Sequence, residues 1–196
     1  MGELTQTGVT GVVLAAGSGS RMGTPKALLA TPDGEPWVAL ATHTLRAAGC
    51  AHVIVVLGAQ ADAALEFVPE GAHVVLADDW RSGMAASLHA GLAAASHPAM
   101  HAAAALVTLV DLPGLTIPAA ARVLGVDAGP DTLRRAVFDG RPGHPVLVGR
   151  DHWDALAGTL GGDTGAQVYL REHGVELVEC SDLWDGADVD LSPRAG

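Results

Sequence analysis

Leu14-Ala15-Ala16-Gly17-Ser18-Gly19-Ser20-Arg21-Met22-Gly23-Thr24-Pro25-Lys26 places three glycines and two cations directly after an apolar run, Val9 to Ala15. The run reads as a strand, and in open α/β sheets ligands bind beyond the carboxyl ends of strands. Glycines at 17, 19 and 23 let a backbone approach a ligand and turn its amides inward, and Arg21 and Lys26 add charge where phosphates would sit. Two common phosphate motifs fail on spacing. A Walker A loop needs Gly-Lys-Ser/Thr opening a helix, whereas Lys26 follows Pro25 and precedes Ala27. The dinucleotide fingerprint needs G-x-G-x-x-G, and here the third glycine comes one residue late. The loop is therefore a long one that wraps its ligand.

The rest of the chain sharpens the weight of those cations. The net charge is -11, and of eleven basic residues ten are arginine, so Lys26 is the sole lysine. An acidic surface argues against nucleic-acid binding, which depends on a broad basic face, and against an anionic membrane face. Phosphate has to be held by a few placed cations and backbone amides. The apolar runs are strand-sized, well short of the roughly 20 residues of a membrane span. The first residues lack the basic and apolar regions of a secretory signal. Two cysteines, Cys50 and Cys180, form no disulfide framework and suit a reducing compartment. The expectation is a cytoplasmic protein with one domain over residues 1–196.

Short β-rich runs alternate with Ala/Leu-rich helical stretches, which predicts an α/β fold with a mostly parallel sheet. After the first strand come a helix over 36–48, a strand over 53–57, a short helix over 61–67 and a strand over 72–76. A helix over 84–95, a strand over 104–110 ending at Asp111, and a helix over 118–124 follow. Strands at 135–138 and 145–148 are expected to flank a Gly/Pro-rich turn, Asp139 to His144. Helices near 150–157 and 165–173 and a strand at 175–178 complete the series. His97 and His101 have i,i+4 spacing, but Pro98 intervenes and no third ligand is evident, so no zinc site is expected. The four tryptophans read as packing or rim residues.

The segment Leu-Ala-Ala-Gly-x-Gly-x-Arg-Met-Gly-x-Pro-Lys at 14 to 26 closely resembles the signature of nucleotidyltransferases with the three-layer, Rossmann-like nucleotide-diphospho-sugar transferase fold. Asp79-Trp80-Arg81-Ser82-Gly83-Met84-Ala85-Ala86-Ser87-Leu88, with Gly91-Leu92, is similar to a second motif of the molybdenum cofactor cytidylyltransferases, a MobA-like branch. Asp111-Leu112-Pro113 resembles their metal-binding motif. Gly143-His144-Pro145-Val146, Gly162-Asp163-x-Gly165-Ala166 and Asp188-Val189-Asp190 resemble later motifs in the same order.

The resemblance implies transfer of CMP from CTP to a phosphate on a second substrate, with release of pyrophosphate. The attacking phosphate oxygen is already ionised near neutrality, so alignment and charge neutralisation carry the catalysis. Arg21, Lys26 and Asp111 are the expected catalytic residues. Leu14, Ala15, Ala16, Gly17, Gly19, Arg21, Lys26, Gly83 and Ser87 would bind the nucleotide. Asp111 would bind Mg2+ with a second carboxylate, Asp188 or Asp190, the latter favoured. The chain departs from the family here, since Leu191-Ser192-Pro193 replaces the usual Thr-Pro pair after the second aspartate. His144 and Asp163 would face the acceptor, by resemblance a molybdopterin. Ala16, where the guanylyl branch carries glycine, favours CTP over GTP. Two alternatives share the motifs: an NADH-dependent oxidoreductase of quinone-like pigments, and a non-catalytic module working with molybdoenzyme maturation factors.

Overall fold

The computed structural model describes residues 8–19, 23–161 and 166–189. Its elements are β1 (Gly8–Ala15), α1 (Trp37–Ala47), β2 (His52–Leu57), α2 (Ala61–Ala64), β3 (His73–Leu76), α3 (Met84–Ala95), β4 (Ala102–Leu109), α4 (Ile117–Leu124), β5 (Leu133–Phe138), β6 (Arg141–Gly149), α5 (Trp153–Thr159), α6 (Gln167–Glu172) and β7 (Glu176–Glu179). The strands form one seven-stranded sheet in the order β3-β2-β1-β4-β6-β5-β7. The pairs β1–β2, β1–β4, β2–β3 and β5–β7 are parallel, and β6 runs antiparallel to both β4 and β5. The mostly parallel α/β architecture is as the sequence predicts.

The central strands are buried on both faces, and strand alternation sorts their side chains into two cores. Val9, Val13 and Ala15 of β1 join Val53, Val55 and Leu57 of β2 under α1 and α4. Val12, Leu14 and Ala16 join Ile54 and Val56 under α3, α5 and α6. Gly91 lets α3 lie close on the sheet, because a Cβ there would come within 2.7 Å of Val12 Cγ1. The two cores with the sheet between them make the third layer complete.

β1 is the switch point. The chain leaves it for β2 on one side and returns to its other side with β4. The register pairs Ala15 with Leu57 and Leu14 with Leu109, so the loops after β1, β2 and β4 open at one level.

One segment departs from the sequence reading. The expected turn from Asp139 to His144 is only Asp139-Gly140, and β6 begins at Arg141. Asp139 (φ 50°) and Gly140 (φ 72°) both adopt the left-handed region that a two-residue hairpin requires. Pro142 is tolerated in β6 because the β4 ladder starts only at Val146, so this stretch has a strand on one side alone. His144 consequently stands on a strand rather than in a turn. Elsewhere the differences lie at element ends, except that the expected helices at 61–67 and 150–157 each combine a 3-10 turn with a short α-helix. No helix among the described residues is long and apolar enough to cross a membrane.

Candidate functional site

The glycine loop leaves β1 at Ala16, whose carbonyl accepts the N–H of Ala59 at 3.1 Å, while the carbonyl of Leu14 accepts that of Val110 at 3.1 Å. Both carbonyls are thus spent on holding the three loop starts together. Gly17 is exposed, and a Cβ on it would meet nothing within 4 Å. Gly19 sits at φ 62° and its carbonyl accepts the N–H of Gly23 at 2.8 Å. A Cβ at Gly19 would lie 1.9 Å from the Thr24 carbonyl oxygen, so this closure excludes every other residue. Arg21 lies outside the described residues.

The loop returns to the sheet at Lys26, the first residue of a 3-10 turn, Lys26–Leu28, anchored by the buried Ala27. Lys26 Nζ donates to Asp111 Oδ2 at 2.7 Å, with side-chain exposures of 21% and 18%. Asp111 stands just beyond β4, beside the start of the loop, as expected for a strand adjacent to β1. Its second oxygen, Oδ1, is buried and has no hydrogen-bond partner among the described residues. A buried carboxylate oxygen without a donor fits a hard cation, which would supply what the protein does not. The Asp111 carbonyl accepts the N–H of Val189 at 3.1 Å, and Val189 packs on the core. That ties Val189, and with it the neighbouring Asp188, to Asp111. Asp188 is exposed, and Asp190 lies outside the described residues. Among the described residues no three His, Cys, Asp or Glu side chains gather into a metal cage. A metal held here would draw most of its ligands from substrate phosphates and water, the usual habit of Mg2+.

Gly83, at φ 106°, turns the chain into α3, and Ser87 is buried on the side of that helix facing the sheet. On the same side of the sheet, between α3, α6, β4 and β6, lies a cavity of about 250 Å3 lined by apolar side chains with Arg135, His144 and Gln167. His144 Nδ1 is 3.5 Å from the Val107 carbonyl oxygen. Burial pushes its pKa down to about 4, reinforced by the nearby Arg135 charge and opposed by the Val107 carbonyl and by Asp111. The imidazole is neutral near pH 7. Asp163, its expected companion, lies outside the described residues. His97 serves structure, its Nδ1 accepting the N–H of Ala99 at 3.2 Å. Cys50 and Cys180 are free and buried.

The site thus has two parts along β4, the Lys26–Asp111 pair at its end and the His144 cavity over its body. The sequence reading missed Arg135, Met84 and Gln167 of the cavity wall. Arg135 had one legible signal. It adjoins Arg134 on a strand, and alternation sends two adjacent arginines to opposite faces, one of them under the helices.

A family model described as "MobA-like NTP transferase domain" matches residues 11–177, which contain the loop, both parts of the site and the whole sheet except the first residues of β1 and the last of β7. The chain belongs to this family. It is 41% identical over 97% of its length, and 96% of the relative's, to the "Nicotine blue oxidoreductase" of Paenarthrobacter nicotinovorans. Among solved structures it superposes on Rv0371c of Mycobacterium tuberculosis with a TM-score of 0.79 and 32% identity, covering 96% of this chain and 94% of that one. A second crystal structure of Rv0371c is a complex with manganese, similar at a TM-score of 0.74 with 29% identity over 96% and 95% of the two chains. A nucleotidyl transferase from Methanothermobacter is also similar, at a TM-score of 0.71 and 25% identity over 88% and 87%.

Proposed function

We propose that the protein transfers a nucleotidyl group, CMP from CTP in preference to GMP from GTP, to a phosphate-bearing small molecule of the molybdopterin type. The observation that carries this reading is the Lys26–Asp111 pair at the foot of the glycine loop, with one carboxylate oxygen of Asp111 buried and without a hydrogen-bond partner among the described residues. In the reaction an oxygen of the acceptor phosphate forms a bond to the α-phosphorus as the bond to the bridging oxygen breaks, and pyrophosphate leaves. The loop amides after Gly17 bind the triphosphate, and Lys26 and Arg21 stabilise the negative charge that gathers on the leaving group. Asp111, with Asp188 or Asp190, would hold Mg2+, and the ion when bound neutralises phosphate charge. Gly83 and Ser87 border the base, and His144 and Asp163 border the acceptor. The manganese bound by a relative of this chain supports a divalent ion. Alanine at position 16 supports CTP.

Pyrophosphate release measured with CTP, GTP, ATP and UTP in Mg2+, with and without molybdopterin, tests the reading. Release with CTP that depends on the acceptor is the expected result. The reading fails when CTP neither binds nor turns over while another nucleotide does. The similarity to a nicotine blue oxidoreductase favours a second reading, reduction of a quinone-like pigment by NADH in the same cleft. Against it stands the absence from the loop of the dinucleotide fingerprint. NADH consumption dependent on such a pigment, without pyrophosphate release from any nucleotide, would establish it.

A further inference from the structure

Arg134 and Arg135 are neighbours on β5 with opposite circumstances. Arg134 donates to Asp127 Oδ1 at 2.7 Å, to Glu176 Oε2 at 2.7 Å and to the Leu124 carbonyl at 3.0 Å. Arg135, on the other face, donates among the described residues only from Nε, to the Gly143 carbonyl at 3.1 Å. No carboxylate among the described residues pairs with it, and burial lowers its pKa with no neighbouring acid to oppose the shift. In a chain with twice as many acids as bases this is a conspicuous omission. The half-buried guanidinium retains its charge, and its terminal nitrogens are not sealed off from solvent, so they are open to an anion that enters the cavity.

The surroundings say what kind of anion. Arg135 lines the 250 Å3 cavity together with Leu14, Leu88, Val107, Val146 and Leu170, walls that suit an apolar body. The volume falls below the roughly 300 Å3 at which pockets for drug-sized ligands begin. It accommodates a small ring system rather than a whole nucleotide. Met84 at the rim is a flexible thioether able to follow a flat ring. Lys26 and Asp111 are not among its wall residues, but Leu14 is, and the Asp111 charge reaches His144, so the cavity adjoins the Lys26–Asp111 end without including it. His144 in the wall is neutral near pH 7, which leaves Arg135 as the cation among the described wall residues.

We propose that Arg135 anchors the second substrate, and that this substrate is a flat aromatic or heteroaromatic body carrying an oxyanion, phosphate or carboxylate, which the guanidinium grips through its two free terminal nitrogens. Only the description of this ligand as the acceptor rests on the nucleotidyl-transfer reading. Arg135 then selects the acceptor and takes no part in breaking the triphosphate.

The test is calorimetric, with 2-naphthyl phosphate, 2-naphthoate and uncharged 2-naphthol as probes and CTP with Mg2+ as the control ligand. The wild-type protein should bind one or both anions at least about tenfold more tightly than the neutral probe, as expected for a charge-assisted pair. Which anion binds tells phosphate from carboxylate. Arg135→Gln should remove that preference while leaving 2-naphthol and CTP within about twofold, and Arg135→Lys should keep part of it. Equal binding of 2-naphthol and the anions by the wild type overturns the proposal, as does an anion preference that survives in Arg135→Gln. So does failure of the wild type to bind either anion. Should Arg135→Gln fail to fold, the wild-type comparison and Arg135→Lys still decide. Anion binding by a protein that binds no nucleoside triphosphate would sustain Arg135 as an anchor and overturn nucleotidyl transfer instead.

Discussion

Replacing Lys26 by methionine should make the protein bind a divalent metal more tightly in the absence of nucleotide. In the structure the ammonium occupies one oxygen of Asp111 at 2.7 Å. A metal entering there has to displace a charge-assisted hydrogen bond between two groups that are about four-fifths shielded from solvent. Such a bond is worth about 1.5–3 kcal/mol, or roughly ten- to a hundredfold in affinity. Removing a positive charge also removes its repulsion for an incoming cation, so both effects act in one direction. Methionine keeps the length of the stem and its packing without the charge. Mn2+ titration followed by electron paramagnetic resonance should therefore show tighter binding by Lys26→Met than by the wild type. The same variant should lose affinity for CTP, because the ammonium proposed to meet the triphosphate is gone. Its melting temperature should fall without metal, since Asp111 is left unpaired, and recover when Mn2+ is added. Mn2+ affinity that is unchanged or weaker in Lys26→Met would refute the reasoning, for it would mean that the lysine does not guard the carboxylate.

Two glycines of the loop should separate folding from binding. Gly19→Ala forces a Cβ against the Thr24 carbonyl in a left-handed conformation and should cost about 1–3 kcal/mol in chemical denaturation, along with nucleotide affinity. Gly17→Ala meets open space and should leave stability unchanged while weakening CTP binding about tenfold, a contrast read by pairing melting curves with titrations. His144, with a folded pKa of about 4 against about 6.5 unfolded, binds fewer protons folded than unfolded between those values. Its contribution to stability is therefore complete above pH 6.5 and lost as pH falls towards 4, by up to about 3 kcal/mol. Denaturant unfolding at pH 7 and pH 4.5 should show a smaller acid-induced loss in His144→Gln than in the wild type, and equal losses would refute it.

Much of this architecture was legible because the signals were local. The boundaries of α3 at Met84 and Ala95 follow from apolar spacing and the glycine before it, and both are as read. The placement of Asp111 beside the loop followed from a strand ending next to β1, and Lys26 was marked by being the sole lysine. The hairpin at Asp139-Gly140 was misread because its Gly/Pro content suggested a longer turn, although Asp-Gly is itself a strong two-residue turn signal. Arg135 escaped notice for a different reason. What sets it apart from Arg134 is a missing partner, and partners such as Glu176 and Asp127 come from elsewhere in the fold. Arg21, Asp163 and Asp190 lie outside the described residues, so their expected places stay readings of the sequence.

The pairing of Lys26 with Asp111 also bears on the order in which this protein comes to be. The two residues are 85 positions apart, and β1 must wait for β4 before the loop has anything to close upon. The hydrogen bond from Val189 to Asp111 then fastens a segment near the other end of the chain to the same spot. Contacts so distant in sequence carry a large loop-closure cost and slow folding. A nascent chain that has already formed β1, α1 and β2 therefore carries the glycine loop without the carboxylate or its fastening. The proposed competence to hold a metal and a triphosphate together thus depends on contacts that span most of the chain, and a half-made molecule would lack it.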